Sequence, residues 1–155
     1  MRLISHIVLH TAAAYNPKTG KVVHQTIAEI DKYHREHNGW RKVGYHWFVR
    51  DDGTGERGRQ DDEVGAHVNG FNAATLGLCV SGHGDYLPWN DKQMAEVVRK
   101  CSEWCRVYRV NPIHVIGHRE ADDNGAPPVY KTCPGLLVDM NMVRERIADR
   151  LETSG

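Results

Sequence analysis

A chain of 155 residues, 40% of them hydrophobic, suits one globular domain with its own core and is too short for two ordinary ones. Its 20 Lys and Arg balance 20 Asp and Glu, so no basic field exists to attract nucleic acid or an anionic membrane. The longest apolar runs are a handful of residues, which excludes a membrane-spanning helix. The start of the chain lacks the long apolar stretch and small-residue cleavage site of a signal peptide. The chain is therefore expected to be a cytoplasmic product.

Taken in chain order, His6-Ile7-Val8-Leu9-His10 is short, apolar and β-branched and predicts a buried strand, followed by a loop from Thr11 to Gly20. Thr26 and Glu29 have capping-box spacing. Ile27, Ile30, Tyr33 and Trp40 then form a helical stripe that Gly39 stops, with His34 and His37 expected near its solvent face. Tyr45 to Arg50 predicts a strand, Asp51-Asp52-Gly53 a turn, and about Gly55 to Gln60 the returning strand. Thr75 to Ser81 predicts another apolar strand closed by Gly82. From the cap residue Asn90, the positions Met94, Val97, Val98, Cys101, Trp104, Cys105 and Tyr108 make a long amphipathic stripe. Ile113 to Gly117 predicts a last strand and about Leu137 to Leu151 a last helix. This order implies an α/β fold in which a single central mixed sheet is flanked by helices.

Ten histidines and four cysteines are available for chemistry. Cys79, Cys101 and Cys105 read as core thiols, with no disulfide framework expected. His10 closes the first strand, His118 closes the last, and Cys133 lies in the loop after it. Two imidazoles and a thiolate suit zinc, and three protein ligands leave a fourth position for water, as a catalytic site requires. The chain has neither a C-x₂-C pair nor H-E-x-x-H, so neither a structural zinc site of that kind nor a zincin-type protease is indicated. The alternative reading is two satisfied strand-end histidines and a partly buried thiol before a proline turn. His6 and His114, each four residues before a proposed ligand, are the stand-ins.

The ordered motifs Val43-Gly44-Tyr45-His46-Trp47-Phe48-Val49, Asp52-Gly53-Thr54, Gly58-Arg59, Val64-Gly65-Ala66-His67, Gly70-Phe71-Asn72 and Leu76-Gly77-Leu78 resemble the type-2 N-acetylmuramoyl-L-alanine amidases. That class includes T7-type phage endolysins and the animal peptidoglycan recognition proteins. The resemblance runs from about His6 to Gly135. It implies a zinc site at His10, His118 and Cys133, and catalytic roles for Tyr45 and Lys131. The stretch Asp122 to Pro128, between the second histidine and the cysteine, departs from close relatives and is expected to bulge outward as an insertion.

The resemblance further implies hydrolysis of the lactyl–L-alanine amide of peptidoglycan. The enzyme would be a phage endolysin, made in the host cytoplasm and released onto the wall by a separate pore. Residues 1–155 would form a single catalytic domain and a monomer, without a separate wall-binding module. A recycling amidase, a binding module without catalysis, and a regulatory contact with a partner such as an RNA polymerase are the competing readings. Among other residues, His67 and Asn72 flank the Gly70 loop and could touch glycan or orient a ligand. His46, expected on the strand face opposite Tyr45, reads as structural. Arg119, Glu120, Asp122 and Asp123 read as a solvated charge run.

Overall fold

Alternation along one strand organises the whole molecule. The computed structural model describes residues 2–121 and 132–154. Strand β1 (His6–Thr11) lies between β6 (Thr75–Val80) and β7 (Val115–Gly117), parallel to both. Strand β4 (Trp47–Val49) runs parallel to β6, and β5 (Gly55–Arg57) closes the edge antiparallel to β4, giving a five-stranded mixed sheet of order β5-β4-β6-β1-β7. A separate two-stranded ribbon pairs β2 (Tyr15–Asn16) with β3 (Lys21–Val22).

One face of the sheet carries Ile7, Leu9, Leu76, Leu78, Val80 and Val49, all buried, beneath α2 (Asp91–Tyr108) and α3 (Met140–Ser154). The stripe expected on α2 is the one buried there: Met94, Val97, Val98, Cys101, Trp104 and Cys105. Asn90 caps this helix in a reciprocal box with Gln93, each side chain accepting from the other residue's backbone N–H. The opposite face carries His6, Val8 and His10 on β1 against Thr75, Gly77 and Cys79 on β6, register partners whose side chains share a side. Helix α1 (Ile27–His37) covers part of that face through Ile30, which packs with Val43, Phe48 and Cys79.

Four expectations are corrected in detail. The Thr11–Gly20 loop holds the β2 strand, whose turn is closed by Gly20 N–H donating to the Asn16 carbonyl. On α1, Tyr33 is 54% exposed while His34 is buried. His34 stands four residues after Ile30, on the same helical stripe, and its Nδ1 accepts from Gly44 N–H. Pro112–His114 forms a 3₁₀ turn capped by Asn111, so β7 begins only at Val115. The last helix begins at Met140, because Leu136 and Leu137 belong to a loop tied to Gly84 and Asp85. No helix among the described residues is long and apolar enough to cross a membrane.

Candidate metal centre

His10 is the fifth residue of β1, and His118 directly follows β7. Because β1 and β7 are parallel neighbours in register Leu9↔Gly117, both imidazoles emerge at the same sheet end, with ring centroids 4.6 Å apart. The Cys133 Sγ lies 3.9 Å from His10 Nδ1. One ligand atom from each of the three residues lies within 4.8 Å of the others, and among the described residues no further such group of His, Cys, Asp or Glu occurs. His10 is buried and the other two are half-buried. Two borderline nitrogen donors and one soft sulfur donor, this close and reachable from outside, fit zinc better than a hard cation such as magnesium. The stand-ins, His6 and His114, pair with each other 4.7 Å apart near the start of β1 and β7, away from this cluster.

The cysteine is carried by a loop that the fold ties down. Arg119, next to His118, donates its backbone N–H to the Cys133 carbonyl at 2.6 Å and its guanidinium to the carbonyls of Thr132, Gly135 and Val138. Asp85 accepts from the Thr132 hydroxyl (2.9 Å) and from Leu136 N–H (2.8 Å). Pro134, joined to Cys133 by a cis peptide, rests on Gly117, where a Cβ would come within 2.7 Å of its ring. Arg119 and Glu120 are therefore not a solvated charge run: Glu120 accepts from Gly117 N–H and pairs with Arg144 at 2.9 Å. Nothing in their spacing marked Arg119 as a brace, since its partners are carbonyls that the fold alone brings near. Lys131, Asp122, Asp123 and the 122–128 stretch lie outside the described residues.

Tyr45 stands against the cluster, its ring 5.2 Å from that of His10. Burial, with a hydrogen bond to the Cys79 thiol, pushes its phenol well above the usual value, so the hydroxyl keeps its proton. On its other side opens a cavity of about 460 Å³ lined by Ala12, Ala13, Ala14, Ile30, Tyr33 and Tyr45, among others. The cluster and the cavity thus meet at one side chain.

His67 is buried and lies behind His10, its Nδ1 3.0 Å from His10 Nε2. The Asn72 side-chain oxygen accepts from the backbone N–H of His67 and Val68, both at 2.9 Å, and so holds the loop that carries His67. Neither residue lines the cavity. His46 precedes β4, so strand alternation does not govern it. Its ring sits 5.8 Å from His67, beside the cluster rather than across the sheet. It accepts from Gly77 N–H at Nδ1 and donates from Nε2 to the Glu63 carbonyl, and burial lowers its pKa to about 4. These backbone partners agree with a structural role.

Residues 1–136 match the family model described as N-acetylmuramoyl-L-alanine amidase. An endolysin of Klebsiella phage KP32 is 41% identical over 78 residues, which are 50% of this chain and 48% of that protein. The chain spans less than half the length of the phage endolysins it matches. Among solved structures, the N-acetylmuramoyl-L-alanine amidase LysC from Clostridium intestinale superposes with a TM-score of 0.79 at 24% identity, covering 95% of this chain and 87% of that one. Drosophila PGRP-LB superposes with a TM-score of 0.69 at 20% identity, covering 87% and 76%. At these identities the superpositions speak for the fold: a central mixed sheet with helices on its faces.

Proposed function

The chain belongs to the N-acetylmuramoyl-L-alanine amidase family, and from that premise we propose that it hydrolyses the amide between the lactyl group of N-acetylmuramic acid and the L-alanine of the peptidoglycan stem. The single observation that carries the reading is the gathering of His10, His118 and Cys133 within 4.8 Å beside a cavity of substrate size. These three would hold zinc, which supplies Lewis-acid polarisation of a carbonyl and acidifies water towards a pKa of about 7.

The chain's own groups account for the rest. Tyr45, kept protonated by burial, donates a hydrogen bond to the oxygen on which charge develops. Lys131, two residues before Cys133 in sequence, adds a compact cation for the same charge. The alanine-lined part of the cavity takes the small apolar side chain of the stem's first residue, while Tyr33 and Gln25 offer polar contacts at its rim. The loop tied by Arg119 and Asp85 keeps the thiolate where the two imidazoles can share its ion. In this reading residues 1–155 act as a single catalytic domain and a monomer. The protein is a phage endolysin that a separate pore releases from the host cytoplasm onto the wall.

Purified protein incubated with isolated peptidoglycan tests the proposal. Free L-alanine amino ends should appear in step with bound zinc, and a chelator should stop their release. Liberation of reducing sugar ends alone would refute it.

A further inference from the structure

A chain of hydrogen bonds runs inward from the proposed ligand His10. The Phe71 carbonyl can only accept, and the Thr75 hydroxyl lies 2.9 Å from it, so the single hydroxyl proton is committed there. Thr75 Oγ1 therefore receives the hydrogen bond from His67 Nε2 at 3.2 Å. A neutral imidazole with its proton on Nε2 has a bare Nδ1, and that atom faces His10 Nε2 at 3.0 Å. His10 must then donate from Nε2, which leaves the lone pair of its Nδ1 directed toward Cys133 Sγ, 3.9 Å away. A metal can be bound only by a nitrogen without a proton.

The ring of His67 has no room to turn. Gly77 and Gly65 pass close to it, and a Cβ on either would lie 2.6 Å or 2.8 Å from its nearest ring carbon. Asn72 holds its backbone from below through two hydrogen bonds. A threonine and an imidazole thus stand where metal sites commonly place a carboxylate or a backbone carbonyl behind the ligand.

We propose that His67 is a positioning residue: through the relay Phe71–Thr75–His67–His10 it fixes His10 in the tautomer that presents Nδ1 to zinc, and so sets the affinity of the site. This rests on the reading of His10 as a ligand. The test is zinc binding, which is independent of peptidoglycan turnover. In zinc-loaded wild-type protein, ¹⁵N NMR of the imidazoles should find the proton on Nε2 of both His10 and His67. His67→Phe should weaken zinc, measured by chelator competition, about 10–100-fold, and should alter the visible spectrum of the cobalt-substituted protein. Thr75→Val should lower affinity by a smaller factor and release His67 from a single tautomer, which decides the matter if His67→Phe does not fold. A proton on His67 Nδ1 in the wild type, or wild-type zinc affinity in His67→Phe, would overturn the relay. A wild-type chain that takes up no zinc would overturn the ligand assignment as well.

Discussion

The two faces of the central sheet come from the same strands and are built on opposite principles. Toward α2 and α3, the inward positions Ile7, Leu9, Leu76, Leu78 and Val80 are large aliphatic side chains, with the buried Thr11 hydroxyl accepting from Trp89 at the strand end, and burial of apolar area holds that side together. Toward α1, the same two strands present His10, Thr75, Gly77 and Cys79. There, space is made by glycine and filled by imidazoles hydrogen-bonded to a hydroxyl, a carbonyl and a backbone N–H. The first face tolerates no loss of volume; the second tolerates no loss of direction. Changes on the face under α2 and α3 should cost stability and spare the metal, and changes to the ligands and their supports on the other should be felt at the metal.

The largest effect expected belongs to the ligands. Cys133→Ser or His10→Ala should abolish zinc binding and lower turnover by roughly 10³-fold or more, the several kcal/mol that a Lewis acid contributes. Metal analysis beside release of L-alanine ends checks it, and a Cys133→Ala protein with full zinc content and turnover would remove the third ligand. On the opposite face, Leu78→Ala should cost about 2–5 kcal/mol in denaturant unfolding while the folded fraction keeps its zinc affinity. Weakened zinc in that variant would mean that the faces are not independent. Tyr45→Phe should leave zinc bound and reduce the rate about 10²–10³-fold, the usual loss for one donor to a developing oxyanion. An unchanged rate would make Tyr45 only a wall of the cavity.

A fourth expectation concerns acid. His46 has a folded pKa of about 4, below the 6.5 of an exposed imidazole. The unfolded chain therefore binds the proton more readily, and the neutral ring stabilises the fold fully above pH 6.5. That contribution, about 3 kcal/mol by linkage, should fade as pH falls from 6.5 to 4. The burial-lowered pKa of His34 acts in the same direction. Unfolding of metal-free protein across that range should show the loss, and a flat profile would place the charged form of His46 in the folded state.

The helix-covered face was largely readable in advance because hydrophobic periodicity is a local signal. The α2 stripe and the β1 and β6 runs announce themselves within a few residues. Short elements escaped for the same reason: two residues of β2 carry no alternation to read. His34 was misplaced on α1 because its polar character outweighed its position four residues after Ile30. No local pattern marks Arg119 and Asp85, because their partners, mostly backbone atoms, belong to a loop many residues away.

Composition and periodicity by themselves determined the class of fold and the buried strands, residue chemistry a short set of residues able to hold a metal, and the ordered motifs a resemblance to the family. Only the tertiary structure decided that Cys133 meets His10, that His67 stands behind it and that Arg119 braces the loop. Burial patterns repeat every two or 3.6 residues and can be read along a chain. The direction of a hydrogen bond between residues 57 apart exists only once the sheet has brought them together.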